Sequence, residues 1–287
     1  MSKKGLKTPL RYPGGKSRAC TKMGQYFPDL REYVEFREPF LGGGSVAIHV
    51  SKLYPHLKIT VNDLYEPLIN FWMNLQMFGD ELSTNLKNLK IAHPNQDSAR
   101  CLFAEMKDVI NDSTQNNLDR AVAFYIVNKC SFSGLTESSS FSAQASDSNF
   151  SLRGIEKLPE YSEIISHWHI NSYSYEYCFR TDIHDGLFMY LDPPYDIKDN
   201  LYGKGGAMHK SFDHDKFAAD CDAHNDTKML ISYNSDQLVK DRFKNWNASE
   251  FNLTYTMRSV GEYMREQQER KELLLFNYKL SEVTVDE

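Results

Sequence analysis

Residues 38–63, EPFLGGGSVAIHVSKLYPHLKITVND, hold the pattern on which the fold turns. The β-rich run EYVEFREPF (32–40) enters this stretch and stops at three glycines. SVAIHVSKLY (45–54) then opens directly after them with apolar residues at helical spacing. KITVND (58–63) is β-rich again and ends on an acid. The order is strand, tight glycine turn, helix, strand, which is the opening unit of an α/β sheet.

Further runs along the chain extend that sheet. HIN (169–171), LFMYLD (187–192), KMLISYN (228–234), FNLTYTM (251–257) and KELLLFNY (271–278) read as strands, with helix candidates at 213–225 and 235–245. Strands alternating with helices predict an α/β sheet covered on both faces. No helix pattern separates the last two strands, so an antiparallel pair is expected at that end. Residues 66 to about 166 differ: EPLINFWMNLQMF, DSARCLFAEMKDVI, LDRAVAFYIVNK and IEKLPEYSEIIS all have helical spacing. We therefore expect one sheet domain built from 1–75 and 167–287, with a mainly helical insertion over 76–166. SFSGLTESSSFSAQASDSNFS (131–151), with nine serines and no usable period, is expected to be a mobile loop rather than a packed element.

With 287 residues, 41% hydrophobic and 25% charged, the chain has the composition of a soluble globular protein able to bury a large core. No stretch approaches the roughly 18 consecutive apolar residues of a membrane span. The first residues lack the apolar segment of a secretory signal. Five scattered cysteines form no CxxC pair, which indicates neither a disulfide framework nor a zinc site and predicts a reducing, cytoplasmic setting. The net charge of −6 hides a basic start, since residues 1–18 hold six lysines and arginines and no acid. Phosphate contact and a solvated tail both account for that cluster.

Three short motifs carry chemistry. In EPFLGGGS (38–45) the glycines let a ligand approach the backbone at a helix start, where N–H groups favour polar or negative atoms. Asp63, about 20 residues on, stands where nucleotide folds place an acid for a ribose diol; a surface acid on a tight turn is the alternative. RYPGGKS (11–17) ends like a phosphate-binding loop, but Leu10 occupies the position of that loop's first glycine. What remains is a Gly-Gly turn presenting Lys16. In YLDPPYD (190–196) a buried strand ends on a carboxylate, followed by two prolines whose carbonyls accept and whose nitrogens cannot donate. A carboxylate, a carbonyl and a flat ring in one rigid turn suit a planar substrate carrying an amino group.

RYPGGK, EPFLGGGS, NDLYEPL, SGL, LDPPY, LISYN and RKELLLFNY occur here in an order that resembles the Dam-type, D12-class DNA adenine-N6 methyltransferases. The resemblance runs from about residue 8 to 279 and is weakest across 80–180. It implies a Rossmann-like S-adenosylmethionine-dependent methyltransferase sheet with an inserted helical target-recognition domain, acting on double-stranded DNA with no metal. It assigns Tyr12, Gly15, Lys16, Phe40, Gly42, Gly44, Ser45 and Asp63 to the cofactor, with Asp182 and Ile183 as further contacts to its adenine. Asp192, Pro193, Pro194 and Tyr195 would form the amine-binding turn.

Adenine N6 is unreachable inside a paired duplex, so such an enzyme must flip its target out. The resemblance aligns Phe132 and Ser133 with residues that insert into or touch DNA, while a core position at a helix end also accounts for Phe132. Related enzymes carry a base-reading arginine where this chain has Glu137, so the resemblance does not assign their GATC specificity to it. Lys204 and Lys210, in a loop with three glycines, fit a lid or a plain surface loop, and Arg258 fits phosphate contact or a solvated hairpin. Cytosine-N4 transfer and a catalytically silent DNA-binding relative are the rival readings. The nine histidines form no metal-binding spacing, and the aromatic run YSYEYCF (173–179) reads as packing.

Overall fold

The computed structural model describes residues 6–134, 136–195, 212–252 and 271–280. Seven strands form one sheet: β1 (Glu35–Glu38), β2 (Lys58–Asn62), β3 (Trp168–Asn171), β4 (Leu187–Leu191), β5 (Lys228–Asn234), β6 (Asn247–Asn252) and β7 (Lys271–Phe276). Their order across the sheet is β3-β2-β1-β4-β5-β7-β6. The first five are parallel, and β7 runs antiparallel to both neighbours. The fold is the Rossmann-like α/β sheet expected, including the antiparallel pair at its end. The order reverses between β1 and β4, and open α/β sheets bind ligands at such a switch point, beyond the carboxyl ends of the strands.

Helices cover both faces, because alternate residues of each buried strand point to opposite sides. On one face Phe36, Phe188, Tyr190, Leu230 and Leu274 share a core with α2 (Ser45–Leu53), α3 (Glu66–Ala92), α5 (Asn117–Cys130) and α8 (Leu158–Ile165). On the other, Leu187, Met189, Leu191, Ile231 and Leu273 pack against α9 (Tyr175–Arg180), α10 (His214–Ala223) and α11 (Gln237–Arg242). The short α1 (Cys20–Met23) also joins the first core. α3 runs past residue 76 with one non-helical residue inside it, Phe78. It packs on α5 and α8, and α4 (Gln96–Val109) packs on α5.

Two expectations need correction. The serine-rich stretch is not a structureless loop over its described residues. It contains α6 (Ala143–Asn149), begun by the Ser142 side chain accepting from the Ala145 N–H, and α7 (Leu152–Ile155), begun by Ser151 accepting from Gly154. Ser131 and Phe141 form a β-bridge, and Ser131, Ser139 and Ser146 are buried. Serines that cap helices and satisfy local carbonyls build structure without any apolar period. The sixth strand begins at Asn247 rather than at Phe251, and residues 253–257 lie outside the described ones. Its edge position leaves most of NASEFN exposed, so the hydrophobic pattern that marks buried strands is absent there. Among the described residues no helix is long and apolar enough to cross a membrane.

Candidate active site

The β1 and β4 ends flank the switch point, and a solvent-open cleft of about 1170 Å³ lies over them. Tyr12, Gly15, Lys16, Phe40, Gly42, Ser45, Asp63, Asp192, Pro193, Pro194 and Tyr195 line it. The structure thus brings together four sequence segments that lie far apart in the chain.

The glycine loop is shaped by its neighbours. Gly42 and Gly44 have φ of +47° and +64°, in the left-handed region that side chains avoid. A Cβ on Gly42 would stand 2.8 Å from the Tyr12 ring, and one on Gly44 2.8 Å from the Trp72 ring. Gly44 therefore sits behind the cleft wall and sets its shape. Trp72 Nε1 donates to the Gly42 carbonyl at 3.2 Å, and the Gly42 N–H donates to Asp63 Oδ2 at 2.9 Å. Asp63 Oδ1 accepts from the Tyr65 N–H at 3.0 Å. Burial pushes the Asp63 carboxyl up to about 7, against the N–H bonds that favour its ionised form. Asn62 braces the same strand ends, donating to the Pro39 and Tyr173 carbonyls and accepting from the Tyr173 N–H.

Lys16 is buried, with 2% of its side chain exposed, and stands at the centre of the site. Its ammonium donates to Asp192 Oδ1 at 2.8 Å, Asp192 Oδ2 at 2.9 Å, the Tyr195 hydroxyl at 2.6 Å and the Gly14 carbonyl at 3.0 Å. Glu272 Oε1, on β7, is 3.3 Å away and also accepts from the Tyr195 hydroxyl. An ammonium out of water needs such a shell of acceptors. The Tyr195 ring stacks on Tyr233 at 5.9 Å between centroids.

Glu38, at the end of β1, also lines the cleft. Burial, then the nearness of Asp192, pushes its carboxyl well above the usual range, and Oε2 has no hydrogen-bond partner. An aromatic wall completes the cleft: Phe40 stacks on Tyr175 at 5.5 Å, and Phe212 meets Phe40 edge-on at 5.8 Å.

Several of these residues escape sequence reasoning. Tyr175 reads as packing in YSYEYCF, yet it reaches the cleft from the start of α9. Glu38 sits inside a motif noticed for its glycines, and Glu272 in a strand noticed for its leucines. A carboxylate beside an apolar run was an available signal for Glu272, whereas EFRE, with three charged residues in four, offered none that singled out Glu38.

Other expected positions lie elsewhere. Asp182 and Ile183 are not among the residues lining the cleft. They follow α9 at a turn held from below, where the buried Arg37 donates to the carbonyls of Cys178, Thr181 and Asp182. Phe132 is 43% exposed on a short 3-10 turn, Phe132–Gly134, so the core reading does not hold. That turn borders the cleft through Gly134, and the next, Thr136–Ser138, through Thr136. Asn128 fastens it to the glycine turn: its Oδ1 accepts from the Arg11 N–H, and its Nδ2 donates to the Arg11 and Gly134 carbonyls. The Ser133 side chain, Lys204, Lys210 and Arg258 lie outside the described residues. Glu137 accepts from the Tyr65 hydroxyl and from Asn111 Nδ2. Among the described residues no group of three His, Cys, Asp or Glu side chains could hold a metal ion.

Residues 12–258 match the model of the D12 class N6 adenine-specific DNA methyltransferase family. The chain is 27% identical over 127 residues to a DNA N-6-adenine-methyltransferase of Escherichia phage P1, which covers 44% of this chain and 15% of that protein. It is 25% identical over 138 residues to the type II methyltransferase M.MjaIII of Methanocaldococcus jannaschii, covering 45% and 47%. With the type II methyltransferase M1.LlaDCHI of Lactococcus lactis subsp. cremoris the identity is 23% over 270 residues, covering 89% and 90%. The chain thus matches less than half the length of the first two relatives and nine-tenths of the third. Because the family match takes in most of the chain, this protein belongs to the D12 class of N6 adenine-specific DNA methyltransferases.

Proposed function

We propose that this protein transfers the methyl group of S-adenosylmethionine to N6 of an adenine flipped out of duplex DNA. The observation that carries the reading is the Asp192–Tyr195 turn standing beside the glycine loop across one cleft. The residues fit a nucleoside bearing an amino-acid tail. Tyr12, Gly15, Lys16, Phe40, Gly42, Ser45 and Asp63 would hold it, with Gly44 shaping the loop where a side chain would collide with Trp72. Asp63 offers carboxylate oxygens to ribose hydroxyls, and the ring wall of Phe40 and Tyr175 offers a flat apolar surface. When bound, the cofactor supplies an electrophilic methyl on a positively charged sulfur.

The chain's own part is to prepare the amine. Adenine N6 is a poor nucleophile because its lone pair is conjugated into the ring. Asp192 and the Pro193 carbonyl can each accept one N6–H, which favours a pyramidal nitrogen with its lone pair exposed. Hydrogen bonds to both hydrogens strengthen as positive charge grows on nitrogen, so they stabilise the transition state more than the bound substrate, and the acidic methylated nitrogen then releases one of those protons to water. Tyr195 would stack on the base, its hydroxyl anchored by Glu272 and Lys16. Residues 76–166 would serve as the target-recognition domain, with Phe132 filling the gap left by the flipped base. The segments 1–75 and 167–287 would form the catalytic domain.

The test is Asp192→Ala. Methyl transfer to duplex DNA should disappear, while calorimetric binding of S-adenosylmethionine stays within a few-fold of wild type. Near-normal turnover in that variant would sink the reading.

A further inference from the structure

On the face of β4 and β5 where Phe188 and Leu230 are core, three polar side chains form a line. Tyr190 and Asp192 alternate onto the same face of the β4 end, where Phe188 is core. The register places Leu191 beside Ile231, so one residue on Asp192 stands next to Ser232 of β5. The Ser232 hydroxyl is 2.8 Å from Asp192 Oδ1, and the Tyr190 hydroxyl is 2.8 Å from Ser232 Oγ. Tyr190 and Ser232 are both fully buried.

The direction of this line is set by chemistry. The Asp192 carboxylate, ion-paired with Lys16, can only accept. Ser232 must spend its one proton on Oδ1, and its lone pairs then accept the proton of Tyr190. Strand pairing does not need either hydroxyl, since apolar side chains of similar shape would pack there at little or no cost. What the line does accomplish is to hold one oxygen of Asp192 from behind. Ser232 bonds Oδ1 only and, together with Lys16, which bonds both oxygens, sets the carboxylate plane.

We infer that Tyr190 and Ser232 are positioning residues for the methyl-transfer reaction, a hydrogen-bonded relay that sets the plane of the Asp192 carboxylate for the substrate amine. The inference rests on the proposed function and deepens it. Phe27 packs against the Tyr190 ring, 6.3 Å between centroids, so the relay begins on a ring held by the core.

Two variants test it: Tyr190→Phe, which deletes one hydroxyl at nearly constant volume, and Tyr190→Phe with Ser232→Ala. The double variant leaves no orphaned hydroxyl in the core, so it should fold as well as wild type. Single-turnover methyl transfer from S-adenosylmethionine to unmethylated duplex DNA should fall by about tenfold or more in the double variant, the scale of loss from a misplaced catalytic group. Tyr190→Phe alone should give a smaller loss than the double variant. The dissociation constant for S-adenosylmethionine and the melting temperature should stay at wild-type values. Wild-type rates in both variants, or losses that merely follow cofactor affinity or melting temperature, would overturn the relay. If the wild-type protein itself transfers no methyl to DNA, the proposed function fails instead. The relay is then judged from crystal structures of the ligand-free proteins. Asp192 should leave its wild-type carboxylate plane in the double variant, and an unchanged plane would overturn the inference.

Discussion

Gly44→Ala should destabilise this protein by about 2–5 kcal/mol, the sum of two independent penalties. The first is backbone: Gly44 caps α2 at φ +64°, and a left-handed L-residue costs roughly 1–2 kcal/mol. The second is steric. The new Cβ would lie 2.8 and 2.9 Å from two atoms of the Trp72 ring, and overpacking of that kind costs about 1–3 kcal/mol. Trp72 cannot easily retreat. It is fully buried, its Nε1 donates to Gly42, and its ring meets those of Phe71 and Trp168, each at 5.6 Å. Gly24→Ala is the matched control. Gly24 has φ −56°, and a Cβ there meets nothing within 4 Å. The same substitution should therefore stabilise by about 0.4–1 kcal/mol through the unfolded chain. Urea unfolding followed by circular dichroism measures both. A Gly44→Ala protein within about 0.5 kcal/mol of wild type, the range of inert surface changes, would refute the steric reasoning about the loop.

Burial holds the folded-state value of Asp63 above its unfolded one, so the folded protein binds more protons between them. The stability this contributes is fully present below about pH 4 and is lost as pH rises through about 7. Asp63→Asn should flatten that part of a urea-midpoint profile between pH 4 and 8, and an unchanged slope would count against it. Phe132→Ala should cost less unfolding stability than the roughly 3–5 kcal/mol of a fully buried phenylalanine, because the residue is 43% exposed. The same variant should lower the methylation rate on fully paired DNA more than on a substrate whose target adenine is mismatched. Equal losses on both substrates would remove Phe132 from base extrusion.

The glycine loop and the DPPY turn were legible because each announces itself locally, by residues that alter backbone freedom next to a β-rich run. The α/β class of the sheet and its antiparallel end followed from where helix patterns do and do not separate the strands. What could not be read is whatever depends on residues meeting across strands. Nothing in LISYN or MYLD says that Ser232 and Tyr190 will line up behind Asp192; only the register of β4 and β5 does. Lys16 was legible as a presented cation, but its burial among Asp192, Glu272 and Tyr195 depends on segments more than 170 residues away. The serine-rich stretch failed for the opposite reason. Its helices are begun by side-chain caps at Ser142 and Ser151, which leave no hydrophobic period to detect.

The most direct test is product chemistry. The purified protein is incubated with S-adenosylmethionine and unmethylated duplex DNA, the DNA is digested to nucleosides, and the nucleosides are resolved by mass spectrometry. N6-methyladenine is the expected product, and its yield should vanish in Asp192→Ala. N4-methylcytosine as the sole product would contradict the base assignment while keeping the amine chemistry of the Asp192 turn. No methylated nucleoside at all, from protein shown to bind S-adenosylmethionine, would contradict methyl transfer to DNA.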